Sequence, residues 1–364
     1  MRKNYIDNLR IFCIFLLFPF HTSMIYNNWG EIFYITQPPK LLPSIFVSIT
    51  YLWWMSLLFV MAGISTMYAL SHRTIKEYMK ERICKLFIPL LFAIVLVIPV
   101  QTYYADIFHN GYEGNYFEHY KEFFKVTDLY GGDGHFTPAH LWFILYLFII
   151  CIITLPLVSW YQKRDKKLNL SKFNMIYIVL LSVIVSLSSL ILDIGGKSLG
   201  EFTCCFVLGY LIFSNDEIQN RIESHWKGLT TAWITLMVIH ASLGQWKDGI
   251  IDFFSITKQS ADIIHTFVFR LYSWIGILCV LALGKKFLNK DTKFTRYFKG
   301  AIFPMFFFHQ SVLVVVAFFV VKIDMIMPLQ FITIMLLTFA ITIILYEIFR
   351  RFRVTRFIFG IKKG

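Results

Sequence analysis

Residues 7–26 read DNLRIFCIFLLFPFHTSMIY. The run is apolar enough for hydrocarbon, yet Arg10 stands near its start and His21 well inside it. A bilayer core needs about 20 apolar residues of helix to span it. Ten such runs can be drawn: 10–29, 44–70, 86–104, 139–161, 173–192, 199–213, 229–246, 260–283, 300–321 and 328–349. Charge gathers in short blocks between them. Apolar residues make up 57% of the 364 and aromatic ones 18%, and mean hydropathy is +0.62. That apolar share exceeds the soluble average. It excludes an ordinary soluble enzyme and predicts an all-α, polytopic integral membrane protein of about ten transmembrane helices. No soluble domain, internal repeat or low-complexity linker interrupts the chain, so 1–364 is expected to form a single transmembrane domain.

Orientation follows from the basic residues, which favour cytoplasmic loops. With the N-terminus inside, 27 of the 35 Lys and Arg fall in cytoplasmic segments and seven in external loops, while Arg270 lies within the eighth run. Both termini are therefore expected in the cytoplasm. The formal charge of +13 reads as this loop bias rather than as a nucleic-acid surface. MRKN is a basic start, but no small-residue cleavage site follows, so the first helix should be retained. The six cysteines sit in apolar runs or at their cytoplasmic edges, so no disulfide is expected. No Cys or His spacing suits a metal, and no bound cofactor is expected.

One external connection is long. Residues 105–138 mix aromatics with six acids and two lysines and then turn through GGDG. A structureless loop of that length is uncommon, so short helical pieces on the outer rim are expected. Aromatic and acidic side chains suit a sugar, whose apolar faces stack on rings and whose hydroxyls bond carboxylates. An aromatic interface belt is the other reading.

Arg10 and His21 are eleven residues apart, close to three helical turns, so they share a face. The rise separates them by about 16 Å, with Arg10 at the cytoplasmic interface and His21 near mid-membrane. An ionisable group at that depth marks a functional site, or else a histidine bonded to a neighbouring helix. Other runs add polar groups. FFFHQS puts His309 at similar depth, and HLWF puts His140 at the outer mouth of the fourth run. Arg270 has His265 and Asp262 above it. A buried arginine needs an anionic or strongly polar partner. Glu201 lies near the outer end of its run and Asp262 is two turns away, so Arg270 is expected to face a central cavity. At the cytoplasmic edge, Arg73, Lys76, Lys80, Arg82 and Lys85 cluster. They satisfy loop bias, or they cradle a phosphorylated donor beside Arg10.

These residues carry a resemblance. DNLRIFCIFLLFPFHTSMIY, with Asp7 three residues before Arg10, resembles the first helix of the membrane-bound acyltransferase 3 family. Its wording is closest to the branch that succinylates periplasmic glucans. FVMAGIST, ERICKLFIPLL, HLWFILYLFII, FVLGYLIF and FPMFFFHQSVLV resemble further family motifs, in order. The chain departs in Lys85, where many members have arginine, and in Ser311, near a common proline. The resemblance implies acyl transfer (acetyl or succinyl type) from cytoplasmic acyl-CoA to a hydroxyl of an outward-facing glycan or glycolipid, in a bacterial plasma membrane. On that reading Arg10, Arg73, Arg82 and Lys85 hold the donor. His21 acts as general base or carries the acyl group, and His309 or Arg270 stabilises the oxyanion. His140, Asp7 and Glu201 supply further cavity polarity. A transporter or exporter without acyl transfer would also bury His, Asp and Arg at mid-depth. A haem held between His21 and His309 is a third reading.

Overall fold

The computed structural model describes residues 3–28, 33–126, 131–165, 168–245 and 257–361. The ends of the runs 10–29 and 229–246, and residues 127–130 of the long outer connection, lie outside that set. In chain order the helices are α1 (Asn4–Met24), α2 (Leu41–Leu70), α3 (Ile75–Arg82), α4 (Ile88–Leu96), α5 (Ile98–Asn110), α6 (Tyr116–Phe123), α7 (Trp142–Ile153) and α8 (Leu155–Lys163). They continue with α9 (Met175–Ser188), α10 (Leu199–Leu208), α11 (Asp216–Ser224), α12 (Trp226–Gln245), α13 (Lys258–Phe287), α14 (Lys293–Val320), α15 (Met327–Phe349) and α16 (Arg353–Ile358). The strands described are two-residue pieces, Asp193–Ile194 paired antiparallel with Lys197–Ser198.

Each of the ten apolar runs is helical over most of its described residues. Among the described residues, five stretches are long and apolar enough to cross a membrane: Leu41–Leu70, Ile75–Asn110, Lys258–Phe287, Lys293–Val320 and Met327–Phe349. Ala139–Ile153 with Leu155–Lys163, bent by 46°, makes a sixth if the pair is one span. Met175–Ser188 and Leu199–Phe213 are shorter. α1 and α12, which carry Arg10 and His21 or Lys227 and His240, are not among the six. The molecule is thus an all-α, multi-pass membrane protein in which five or six helices meet the length and composition a span requires.

The chain divides into two compact units. The first comprises residues 1–9, 49–75 and 150–290. Its packing explains two glycines of the sequence motifs. A Cβ on Gly63 of FVMAGIST would stand 2.0 Å from the Phe206 carbonyl oxygen, and one on Gly209 of FVLGYLIF 2.2 Å from that of Val60. The two motifs are two sides of one backbone contact. Small residues permit such approach where lipid gives helices no hydrophobic reason to associate. The contact falls where α10 widens into a π-helical turn, Gly209–Phe213.

The second unit comprises residues 10–48, 76–149 and 291–364. The stretch Ile75–Asn110 is interrupted twice. A π-helical turn occupies Ile83–Phe87, and the helix breaks at Val97, two residues before Pro99. Proline lacks the N–H that would continue the ladder. The Ser311 hydroxyl from α14 stands 3.1 Å from the Val97 carbonyl at this break and 2.9 Å from Gln101 Oε1. Beyond α5, the long connection forms α6 as a short helical piece, as the sequence predicts. The Asn115 side chain accepts from the amides of Phe117 and Glu118, and the Glu118 carboxylate accepts in return from the Asn115 amide. His119 fixes α6 to α5, with Nδ1 3.1 Å from Asp106 Oδ2 and Nε2 3.1 Å from Thr102 Oγ1.

Candidate active site

Three histidines far apart in sequence meet inside the second unit. His21 lies seventeen residues after the start of α1, and His309 sixteen after the start of α14. At about 1.5 Å per residue they stand at similar heights. Their ring centres are 5.1 Å apart. His140 joins from the other side, its ring centre 4.8 Å from that of His309. The sequence predicts His140 at the outer mouth of the fourth run. It is 5% exposed and lies in the 3₁₀ segment Ala139–Leu141 that precedes α7.

That turn is strained. Ala139 adopts φ of +46°, a left-handed conformation that costs a residue with a Cβ and persists only where its surroundings enforce it. Thr137 Oγ1 accepts the Ala139 amide at 3.0 Å. The strain is placed one residue before a buried imidazole.

Hydrogen bonds fix two tautomers. His309 Nδ1 is 2.7 Å from the Phe306 carbonyl, and His140 Nε2 is 3.1 Å from that of Phe307. A carbonyl only accepts, so each of these nitrogens carries the proton. His309 Nε2 and His140 Nδ1 are then bare lone pairs, and both are buried without a partner. His21 Nδ1 is also buried and unpartnered. Buried polar atoms are nearly always satisfied, so three orphans in one cluster mark a place built for something else. Phe33 covers His21 in a stacked arrangement, ring centres 6.0 Å apart at 11°. Phe33 leaves no mark in the sequence, because it belongs to a segment with neither period nor motif.

The basic residues separate into different settings. Arg82 precedes the π-helical turn, a feature frequent at functional sites. Its guanidinium lies 4.7 Å from the Tyr78 ring centre, and its Nε is buried without a hydrogen-bond partner. Lys85, inside that turn, is ion-paired with Glu81. Arg10 is half-buried in the second turn of α1, not at the start of the helix, because α1 begins six residues earlier than the apolar run. In the first unit, Arg73 is exposed after α2, and Asp7 is buried in the first turn of α1, where helix N–H groups favour a carboxylate.

Arg270 corrects the sequence reading. Its Nη1 donates to Glu201 Oε2 at 2.6 Å, and Ser56 Oγ donates to Glu201 Oε1 at 2.8 Å. The position of Glu201 near the end of its run argues against this pairing, but α10 starts only at Leu199 and an arginine side chain is long enough to reach its first turn. Arg270 also borders a cleft of about 690 Å³ with Lys258, Asp262 and Phe267.

Beyond His21, where α1 ends, the second unit has a cleft of about 360 Å³. Tyr26, Gln37, Lys40, Lys322, Asp324 and Gln330 line it. The Tyr26 hydroxyl donates to Gln330 Oε1 at 2.7 Å. Both are buried, so this bond forms the floor.

The geometry can be set beside known proteins. The profile of the acyltransferase 3 family, described as an acyltransferase domain, matches residues 3–347. Glucans biosynthesis protein C from Salmonella heidelberg, Salmonella typhi and Salmonella typhimurium is in each case 22% identical over 384 residues. Those alignments cover 99% of this chain and 94% of each relative. No solved structure matches the chain.

Proposed function

Because the chain belongs to the acyltransferase 3 family and is an O-acyltransferase, we propose that it moves an acyl group from cytoplasmic acyl-CoA to a hydroxyl of an outward-facing glycan or glycolipid. The observation that carries this is the His21–His309 pair, two imidazoles in ring contact with one lone pair preset by a backbone carbonyl. In this reading the chain acts as a single domain over 1–364, crosses a bacterial plasma membrane ten times and keeps both termini in the cytoplasm.

CoA is anionic at its nucleotide end and carries a long neutral arm to the thioester. Arg10 and Arg82, both of the second unit, meet the phosphates. Arg82 leads, since its Nε has no hydrogen-bond partner and arginine is suited to bidentate phosphate contacts. Lys85 contributes less, its charge being shared with Glu81. The acceptor enters at the cleft floored by Tyr26 and Gln330, whose amide, hydroxyl and charged groups suit a polyhydroxylated ligand. Relatives named for glucan biosynthesis support a glycan there.

His21 takes the proton from the acceptor hydroxyl as its oxygen attacks the thioester carbonyl. The imidazolium so formed is stabilised by the His309 Nε2 lone pair. The tetrahedral intermediate collapses to the ester and expels the CoA thiolate, which takes up the proton. Acceptor hydroxyl and thioester become ester and free thiol, with no atom unaccounted for.

The test is release of free CoA by purified protein in lipid discs, given acyl-CoA and glycan, with mass spectrometry of the product. His21→Ala is expected to lower the rate by about 10²–10⁴-fold with acyl-CoA binding retained. Near-native turnover in that variant removes the base. Glycan movement without CoA release by the wild type selects the transporter instead.

A further inference from the structure

The cleft beyond the end of α1 is built from three separate stretches of the second unit. Tyr26 stands just past α1, Gln37 and Lys40 belong to the connection leading to α2, and Lys322 and Asp324 to the turn between α14 and α15. Backbone bonds fix these stretches. The Gln37 amide donates to the Ile25 carbonyl and the Lys40 amide to that of Tyr26, each at 2.8 Å. In the turn after α14, the Lys322 amide donates to the Phe319 carbonyl at 3.3 Å.

Two lysines in one cleft call for a reason. Among the described residues neither forms an ion pair, and nor does Asp324. Lys322 follows α14, whose C-terminus favours a cation, and its ammonium stands 3.5 Å from the Phe318 ring centre. Lys40 has the opposite setting. Its carbonyl accepts from the Ser44 amide at 3.2 Å, the bond that opens the 30-residue helix α2. A helix N-terminus carries partial positive charge and disfavours a cation. Lys40 is therefore kept against its local electrostatics. On the proposed orientation both lysines also lie outside, where only seven of the 35 basic residues fall. Two ammonium groups against one carboxylate leave one positive charge of the cleft unanswered.

We propose that this cleft selects an acceptor glycan carrying one anionic substituent, a carboxylate or a phosphodiester, bound by Lys40 and Lys322. This rests on the acyl-transfer reading and narrows its acceptor. Asp324 and the Gln37 amide meet neighbouring hydroxyls. Tyr26 follows His21 by five residues, about 8 Å at helical rise, so the cleft reads a part of the glycan other than the hydroxyl that reacts. The two lysines determine specificity, and the bonds made and broken in the transfer are unchanged.

The test compares a neutral glucan oligosaccharide with two derivatives of it. In one a primary alcohol is oxidised to a carboxylate, and in the other it carries a methyl phosphodiester. Purified protein in discs of zwitterionic lipid is given acyl-CoA and each acceptor, and CoA release is followed. The wild type is expected to favour an anionic acceptor by about tenfold or more in kcat/KM, the factor that a hydrogen bond to a charged group supplies. The preference should lie in KM and shrink in high salt. Lys40→Met and Lys322→Met should each bring it down towards one, and Lys322→Glu should reverse it. Lys40→Met should melt no lower than the wild type, because it removes a cation from a helix N-terminus. Equal use of all three acceptors by the wild type overturns the proposal, as does a preference that survives both methionine substitutions. If the lysines instead hold a lipid phosphate, the variants lose co-purifying anionic lipid, counted by mass spectrometry, while the acceptor preference stays, which also overturns it. Failure of the acyl-transfer reading itself shows earlier, as a wild-type protein that releases no CoA with any acceptor.

Discussion

At the scale of single residues, the chemistry depends on which polar atoms are already spent. Glu201 accepts from both Arg270 and Ser56, so the Arg270 charge is answered inside its own unit. The pair is one-third exposed or less, with side-chain exposures of 29% and 13%. Removing one partner leaves a carboxylate in a poor dielectric, which is costlier than losing the pair as a whole. Arg270→Met is therefore expected to lower stability by up to about 3 kcal/mol, seen as a lower melting temperature in detergent. Adding Glu201→Gln to that variant should restore part of the loss. A double-mutant cycle with no coupling energy, together with altered acyl-CoA preference in Arg270→Met, would return Arg270 to substrate binding.

At the scale of elements, the outer helix α6 is held by a titratable clasp. Burial pushes the His119 pKa below its ordinary value, and the bond to Asp106 opposes that without cancelling it. His135 lowers it further and Glu122 raises it. A histidine with a depressed folded pKa takes up its proton first in the detached or unfolded state. The clasp is therefore at full strength above the unfolded value of about 6.5 and weakens as pH falls through the folded value. The protection of the Tyr116–Phe123 amides, taken relative to their intrinsic exchange at each pH, is expected to fall below about pH 6.5 in the wild type. In His119→Gln, which bonds without titrating, that fall should vanish. Protection that is flat in pH for both proteins would show that the clasp does not titrate.

At the scale of the whole molecule, the proposed two-sided reaction requires two-sided topology. Lys80 belongs to the basic edge after α2, and Glu118 to the aromatic and acidic connection after α5. Single cysteines introduced at these positions and labelled with an impermeant reagent in oriented vesicles should react from opposite faces, the wild-type protein serving as background. Reaction of both from one face would overturn the orientation, and with it separate entry of donor and acceptor.

The sequence by itself determined where helices form, since a run of apolar residues dictates helix wherever no water can satisfy the backbone. It also determined that Arg10 and His21 share a face, because that relation is local to one helix. The motif glycines Gly63 and Gly209 could be read as special, but not as partners. Tertiary structure alone decided which helices meet and in what rotation. It buried His140 against His309, gave Arg270 to Glu201 and laid Phe33 over His21. In a soluble protein the apolar stripe of a helix points to its partners. In a membrane the lipid-facing side is as apolar as the interior, so hydropathy marks the helix and says little about its inward face. The tautomers came last, because they depend on carbonyls that only the assembled bundle brings within reach.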